Sequence, residues 1–514
     1  MIFGDAMFAQ LKSIGVLGME AYITEVEVNV SKGLPAFDIV GLPDAAVKES
    51  RERVRAAFNN CGFKFPTGRI TANLAPADIR KEGSVYDLPL FIAILCATLE
   101  NQPDISDAAF LGEVSLNGVL RAVNGALPRT IMAREQGIKR IYVPYDNGKE
   151  CAVVDGIDVY AFKTITDVAK HILGRSEEIP MTPITFKPEI CDGAPDFADV
   201  KGQAAAKRAM EIAAAGGHNV LLIGPPGSGK SMLAKRMPTI MPEMSFEEAI
   251  ETTKIHSIAG AVSNDNPLVT MRPFRAPHHT VSSRGLSGGG SIPRPGEISL
   301  AHNGVLFLDE LPEYDRDVLE SLRQPLEDGT ITVSRVAGSF TYPCSIALVA
   351  AMNPCPCGYY GHPVKKCVCS PAAVSRYLGR ISGPLLDRLD LHVEVPPVDY
   401  NSLSSKKEEE SSAQIRERVN AARKIQQKRF EGTGVTCNAK MTSKMIKQFC
   451  ELTNEAASLL QDAFEKMGFS ARSYDRILRI ARTIADLDGS DGIEMMHVLQ
   501  ALQFRSLDRK YWKN

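Results

Sequence analysis

The chain has 514 residues, 44% of them hydrophobic, which is enough for two to four domains with apolar cores. Its formal net charge of −2 gives no support for nucleic-acid binding by bulk charge, so any polyanion site has to be a local patch. No uncharged apolar run approaches the length of a membrane span, and the first residues lack the basic and apolar regions of a signal peptide. The eleven cysteines therefore predict reduced thiols in a cytoplasm, or metal ligands.

Four segments follow one another along the chain. Residues 1–175 mix alternating strands, such as 21–28, with helical patterns, such as 45–58. Residues 176–196 contain four prolines and few periodic positions, which predicts a linker. Residues 197–400 predict an α/β core with a parallel sheet, and the pattern of residues 401–514 is helical almost throughout.

The most informative stretch of the α/β core is a glycine-rich loop between an apolar strand, 220–223, and a helical run, 232–237. Glycines let backbone N–H groups approach phosphates closely, and the helix N-terminus adds a partial positive charge. A lysine in the loop reaches the β- and γ-phosphates, and a hydroxyl holds Mg²⁺. The predicted nucleotide-binding residues are Gly224, Pro225, Pro226, Gly227, Ser228, Gly229, Lys230 and Ser231.

A second motif, residues 304–310, is an apolar run that ends in Asp309 and Glu310. Such a run fits a strand buried on both faces of a parallel sheet, where ligands bind at the carboxyl ends of the strands. Asp309 suits a role at Mg²⁺, either as a direct ligand or in the layer around the ligands, and Glu310 suits polarisation of an attacking water. Alone, the two acids are an ordinary strand end; beside the glycine loop they indicate hydrolysis.

Three further polar residues fit the same site. Asn353 ends an apolar strand and is a candidate for contact with the γ-phosphate or the attacking water. Arg388 precedes another apolar strand and is a candidate to stabilise transition-state charge in a neighbouring subunit, although an ion pair with a nearby aspartate is the alternative. Arg472 stands just before a helix predicted over 473–487; it could reach the nucleotide, or it could be a solvated charge at the helix start.

Just after Asn353, four cysteines lie within a span of fifteen residues, as the pairs Cys355 and Cys357, and Cys367 and Cys369. Two close pairs separated by a short loop can surround one Zn²⁺ tetrahedrally, and four protein ligands leave no open position, so the ion would be structural. His362 could replace one ligand. The alternative is that the thiols are reduced and hold no metal.

These motifs together resemble an AAA+ ATPase. The blocks 256–260, 272–279, 288–290 and 293–302 narrow the resemblance to the magnesium-chelatase-like branch and to the bacterial ComM/YifB family within it. That resemblance implies a homohexameric ring, a C-terminal helical lid, and ATP-driven branch migration of DNA in natural transformation or recombination. It also implies that Asn353 is sensor 1, Arg388 the trans arginine finger and Arg472 sensor 2.

Residues 1–175 resemble the Lon-protease C-terminal domain, with the similarity centred on residues 80–93. The position that matches the catalytic serine is Val85, which cannot attack a carbonyl, and Ser84 lies one place earlier. We therefore expect a non-catalytic domain that handles DNA or stabilises the ring. The basic residues Arg51, Arg53, Arg55, Lys64 and Arg69 offer a surface there, although a solvated helix face explains those charges as well.

Two classes of function remain open. The first is a DNA motor whose basic loops line a ring pore, with the candidates Arg272, Arg275, His278, His279, Arg284, Arg294 and Arg335. The second is an ATPase that remodels protein, as chelatase-like or chaperone-like relatives do. Phosphate contacts would make DNA binding steeply salt-dependent, and DNA-stimulated ATP hydrolysis separates the two classes.

Overall fold

The computed structural model describes residues 7–188, 195–290, 293–335, 338–398, 404, 409–467, 470–505 and 507–512. Its contacts divide the chain into two compact units. The first consists of Met1–Lys187 together with Phe246–Val269, and the second of Pro188–Ser245 together with Thr270–Asn514. The segment Phe246–Val269 therefore packs with the N-terminal unit, although the residues before and after it in the chain belong to the second unit. No sequence pattern indicated this assignment.

The first unit is built on a seven-stranded mixed sheet. Its strand order is Ala36–Val40, Arg69–Ala75, Glu20–Ser31, Met7–Leu17, Ala108–Phe110, Arg140–Pro144 and Asp158–Phe162. The strand Glu20–Ser31 pairs antiparallel with both of its neighbours, and the other pairings are parallel. A small hairpin joins Glu113–Val114 to Leu120–Arg121.

The helices of this unit are Ala45–Asn60, Asp87–Ala97, Ala126–Glu135, Tyr145–Cys151, Ile165–Ile172 and Phe246–Ala259. Every residue of Asp87–Ala97 is buried, as its run of apolar side chains requires. The inserted helix Phe246–Ala259 is tied to the same unit by a hydrogen bond of 2.9 Å from Gly125 N–H to the Ser257 carbonyl.

The second unit contains a five-stranded parallel sheet. The strand order is Phe274–Arg275, Val305–Leu308, Ala347–Met352, Val220–Ile223 and Leu391–Glu394. The three central strands are buried along their whole length, which is why they read as continuous apolar runs. This sheet and the helical C-terminal part confirm the fold class expected from the sequence.

Helices surround this sheet and form the C-terminal part of the unit: Ala204–Gly216, Lys230–Ile240, Ser283–Ser287, Glu297–Leu300, Arg316–Glu320, Arg323–Asp328, Pro371–Leu378, Gly383–Leu386, Ser412–Arg429, Ser443–Phe449, Asn454–Met467, Ala471–Leu487, Met495–Gln503 and Leu507–Tyr511. Two hairpins pair Gly288–Gly289 with Arg294–Pro295 and Thr330–Arg335 with Gly338–Pro343. Ile477, Ile480 and Ile484 share one hydrophobic cluster with the strand residues Val220 and Leu222. Among the helices described, none combines the length and apolar character needed to cross a membrane.

Candidate functional site

The glycine-rich loop lies at the carboxyl edge of the parallel sheet, between the strand Val220–Ile223 and the helix Lys230–Ile240. Gly227 and Gly229 have φ values of 76° and 95°, which an L side chain rarely adopts. A Cβ built on either residue meets no atom within 4 Å, so the surface of the loop is open at both positions. The loop therefore has the shape and the backbone conformation of a phosphate cradle.

Lys230 is largely buried, and oxygen atoms surround its ammonium group. Nζ donates to the carbonyls of Gly224 (2.8 Å) and Pro225 (2.9 Å) and to Oδ1 of Asn353 (3.2 Å). Burial lowers the pKa of Lys230, and the charges of Asp309 and Glu310 oppose that shift. The predicted lysine and the predicted sensor asparagine thus meet directly.

Ser231 and Asp309 also meet, since Ser231 Oγ donates to Asp309 Oδ2 at 2.7 Å. A hydroxyl and a carboxylate beside a phosphate cradle are the oxygen ligands that Mg²⁺ takes in nucleotide sites. This donor set fits the magnesium ion that the sequence predicts, and ATP fits the open loop beside it.

Glu310 adopts φ 53°, a left-handed conformation that is uncommon outside glycine. Its N–H donates to Asp309 Oδ1 at 2.9 Å, and its Oε2 lies 3.2 Å from Nδ1 of His279. His279 in turn lies against the ring of His278, with centroids 4.1 Å apart. The sequence suggested His279 as a DNA contact and gave no sign that it meets Glu310.

Arg388 and Arg472 do not lie near the phosphate loop of their own chain. Both line one cleft of about 660 Å³, together with Asn219 and Ser345, which precede two strands of the sheet. The cleft is therefore at the amino edge of the parallel sheet, and a four-residue strand separates the two edges by roughly 13 Å. Arg472 lies in the first turn of the helix Ala471–Leu487 rather than just before it.

Several charged residues that no sequence pattern singled out also line this cleft. Arg388 donates to the Pro384 carbonyl at 2.8 Å and forms an ion pair with Glu327, not with the adjacent aspartates. Arg476 Nε lies 3.0 Å from Asp390 Oδ1. Burial would raise the pKa of Asp390, but the hydrogen bond with His218 and the charge of Arg476 bring it down to about 2.

The seven residues suggested as DNA contacts have different surroundings. The Arg272 guanidinium donates to backbone carbonyls, including that of Asn303 at 2.7 Å, and Arg275 forms a bidentate pair with Glu297 at 2.6 and 2.7 Å. His278 contacts Thr280. The exposed positions among the seven include Arg284 and Arg294, while the Arg335 side chain lies outside the described residues.

The four predicted zinc ligands form one group whose sulfur atoms all lie within 4.8 Å of one another. Cys355 Sγ is 3.4 Å from Cys357 Sγ and 3.7 Å from Cys367 Sγ, and the last two are 3.5 Å apart. Tetrahedral thiolates 2.3 Å from Zn²⁺ are about 3.8 Å apart, so the arrangement fits the ion. The group does not include His362, whose Nδ1 accepts backbone N–H groups at 3.1 and 2.9 Å.

In the first unit, the residues compared with the catalytic serine of Lon proteases have packing and hydrogen-bonding roles. Val85 is buried, and Ser84 donates to Glu113. Arg53 is held in a bidentate pair by the buried Asp87, at 2.7 and 2.9 Å. Arg51 pairs with Glu52 and Arg69 with Asp38, so three of the five basic residues suggested there have acidic partners.

Comparison with known proteins identifies the class. Residues 196–403 match the family model described as magnesium chelatase, subunit ChlI; residues 26–147 match the model of subunit ChlI of Mg-chelatase; and residues 409–505 match the model of its C-terminal region. Together with the parallel sheet and the phosphate loop, these matches define a magnesium-chelatase-like AAA+ protein.

Relatives narrow the assignment further. The chain is 44% identical over 499 residues to "Competence protein ComM" of Haemophilus influenzae and 44% identical over 500 residues to "Uncharacterized protein YifB" of Escherichia coli, with 96% of each chain covered. It is also 30% identical over 164 residues to "Lon protease 2" of Bacillus subtilis, covering 29% of each chain. The chain belongs to the ComM/YifB family.

We predict separable roles for Lys230 and Glu310. We expect Lys230→Ala to abolish nucleotide binding, because it removes the positive charge from the cradle. We expect Glu310→Gln to keep ATP binding but to lower turnover by about 10²–10⁴, the usual loss when a catalytic base is removed. Equilibrium binding of a fluorescent ATP analogue and steady-state phosphate release measure the two effects.

A nearby carboxylate serves as the control. Glu313 lies three residues away and pairs with Arg380 at 2.7 Å, so Glu313→Gln should keep normal turnover. Normal turnover in Glu310→Gln would show that Glu310 is not the base.

Proposed function

We propose that this protein is an ATP hydrolase that works as a homohexameric DNA motor in the cytoplasm, a branch-migration helicase of natural transformation or recombination. The name of the Haemophilus influenzae relative, a competence protein, supports the biological setting. The magnesium-chelatase-like AAA+ family supports ATP and Mg²⁺ as cofactors. The observation that carries the proposal bears on its assembly part: within one chain, Arg388 and Arg472 are separated from the phosphate loop.

The residues at the carboxyl edge divide the work of hydrolysis. Lys230 would neutralise the β- and γ-phosphates, and Ser231 with Asp309 would hold a magnesium ion, which when bound would supply positive charge beside the phosphates. Glu310 orients and deprotonates the attacking water. Asn353, which contacts Lys230 at 3.2 Å, holds the lysine in place and offers its amide to the γ-phosphate.

The arginines complete the site only from another copy of the chain. Arg388 lies beside residues that precede the strands, and the phosphate loop follows a strand, so one chain cannot bring them together. In the proposed ring, the amino edge of one sheet would face the carboxyl edge of the next, and such a heterologous contact forms a closed ring when its rotation closes. We assign the same trans role to Arg472, because it lines the same cleft as Arg388.

The DNA-binding part of the proposal depends on the insert before Asp309 and on the hairpin Thr330–Pro343. Arg284 and Arg294 are exposed in the insert, whereas Arg272 and Arg275 are committed to carbonyl and carboxylate partners. The hairpin presents paired hydroxyls, Thr332 with Thr341 (3.1 Å) and Ser334 with Ser339 (2.9 Å). Hydroxyls and arginines are the groups that contact a phosphate backbone without reading its sequence.

We propose that the four clustered cysteines hold one structural Zn²⁺ per chain. The sulfur separations match tetrahedral coordination, and four thiolates leave no position for a substrate. Along the chain, we propose a non-catalytic Lon-like domain in residues 1–175, a linker in 176–196, the ATPase core in 197–400 and a helical lid in 401–514. The segment Phe246–Val269 within the third range belongs to the first unit of the fold.

Complementation in mixed rings tests the trans site. Arg388→Ala and Glu310→Gln proteins should each be nearly inactive, and mixing them should restore hydrolysis, because some interfaces then combine an intact Glu310 with an intact Arg388. Arg472→Ala should complement Glu310→Gln in the same way. Phosphate release by the mixtures is the measurement.

The control mixes Arg388→Ala with the double variant Arg388→Ala/Glu310→Gln, in which every interface lacks the arginine. It should show no recovery. The trans assignment fails if rings shown to be mixed stay as inactive as this control.

DNA-stimulated hydrolysis tests the motor against a protein-remodelling ATPase. We expect single-stranded or branched DNA to raise the rate of ATP hydrolysis in the unaltered protein. Arg284→Ala/Arg294→Ala should weaken DNA binding and lower the slope of log affinity against log salt by about two, since each phosphate contact contributes nearly one.

The basal rate without DNA should stay unchanged in this double variant. Lys424→Ala, at an exposed position of the helix Ser412–Arg429, is the matched control and should keep DNA stimulation. Absence of stimulation in the unaltered protein would favour the protein-remodelling alternative.

Metal analysis tests the zinc site. Protein purified without chelator should contain close to one zinc per chain, and Cys367→Ser/Cys369→Ser should lose it because two of four ligands are gone. Cys61→Ser, which alters a half-buried cysteine outside the group, should keep the full zinc content. An unchanged metal content in the double variant would rule out these thiols as the ligands.

A further inference from the structure

The loop that carries the cysteines packs directly against the phosphate loop. Gly358 has φ 82°, and a Cβ built on it would lie 2.5 Å from Cδ and 2.8 Å from Cγ of Pro226. Real Cβ atoms essentially never approach another heavy atom below 3.0 Å, so only glycine allows this contact. The position of the cysteine loop therefore limits the position of Pro226.

The same chain segment holds the phosphate loop at two more points. The Gly224 N–H donates to the Met352 carbonyl at 3.2 Å, and Asn353 Oδ1 accepts from Lys230 at 3.2 Å. Residues 352–358 thus contact the beginning, the second proline and the lysine of the phosphate loop. Movement of this segment would move the groups that hold the phosphates.

Besides the thiols, the segment has only a small aromatic contact of its own, in which the Tyr359 and His362 rings lie 5.5 Å apart and Lys365 Nζ lies 4.9 Å from the Tyr359 ring. Residues 353–370, all of which the structure describes, contain no helix or strand. Val364 and Val368 are 83% and 86% exposed, so the apolar side chains of the segment's distal part do not pack inward. By contrast, Cys355 is fully buried, and its Sγ accepts the Tyr360 N–H at 3.3 Å.

We propose that Zn²⁺ bound by Cys355, Cys357, Cys367 and Cys369 controls the affinity of the phosphate loop for magnesium nucleotide, through the contact of Gly358 with Pro226. The bound ion fixes Cys357, and Cys357 is the neighbour of Gly358 in the chain. Loss of the ion frees the segment and with it one wall of the phosphate loop. The inference rests on the proposed zinc and nucleotide sites and adds a regulatory link between them.

Two glycine variants of the full chain test the link with all four thiols in place. Gly358→Ala should keep one zinc per chain but weaken Mg–ADP binding by about tenfold or more, because Pro226 must move to relieve the contact and the loop then loses hydrogen bonds to charged phosphate. Gly361→Ala is the matched control: its φ of 73° imposes the same backbone strain, but its Cβ meets no atom within 4 Å. It should keep both zinc and Mg–ADP affinity.

Zinc content by metal analysis and Mg–ADP affinity by calorimetry are measured on each protein. The zinc-free variant Cys367→Ser/Cys369→Ser should also bind Mg–ADP about tenfold more weakly, because the loop again loses hydrogen bonds to phosphate. Circular dichroism checks that this variant is folded. If it does not fold, the glycine pair still decides the question. In Pro226→Ala, the Gly358→Ala change should cost less affinity than it does in the unaltered protein.

Equal Mg–ADP affinity in Gly358→Ala and Gly361→Ala would overturn the link, as would unaltered affinity in a folded, zinc-free variant. Two other results would instead overturn the nucleotide site or the zinc site on which the link depends. Mg–ADP binding that survives Lys230→Ala would overturn the nucleotide site itself, and absence of zinc from the unaltered protein would overturn the metal site.

Discussion

The parallel direction of the five strands in the second unit decides where every group of the nucleotide site lies. Residues that follow such strands meet at one edge of the sheet, whatever their separation in the chain. The loop after Ile223, the carboxylates after Leu308 and the asparagine after Met352 come together for this reason. The contacts of Lys230 with Asn353 and of Ser231 with Asp309 are the direct result.

The same constraint keeps Arg388 and Arg472 away from the phosphate loop of their own chain. Residues that precede the strands meet at the opposite edge, and Arg388 with Arg472 lies there. In the proposed trans arrangement, a second copy supplies these arginines, and trans arginines are worth on the order of 10³–10⁵ in rate in other nucleotide hydrolases. That proposal links assembly to catalysis through the topology of the sheet.

The sequence predicted the parts of the site that depend on local pattern. Apolar runs predicted the buried strands Val220–Ile223 and Val305–Leu308, and the spacing of glycines predicted the loop between strand and helix. It did not predict contacts between segments without periodicity. His279 meets Glu310 across thirty intervening residues, and Gly358 meets Pro226 across more than a hundred. The pairing of Arg275 with Glu297 likewise depends on tertiary structure that no local signal encodes.

Lys230 shows why the surroundings of the phosphate loop matter to its function. A buried ammonium is stable only when oxygen atoms replace the water it has lost. Here the Gly224 and Pro225 carbonyls and the Asn353 amide do so, all of them neutral. A phosphate offers the ammonium a full opposite charge, and charge-assisted hydrogen bonds are roughly twice as strong as neutral ones. The preference of Lys230 for phosphate over its neutral partners therefore depends on how rigidly those partners are positioned. Two of them belong to the phosphate loop, and the third, Asn353, belongs to the segment that carries the clustered cysteines.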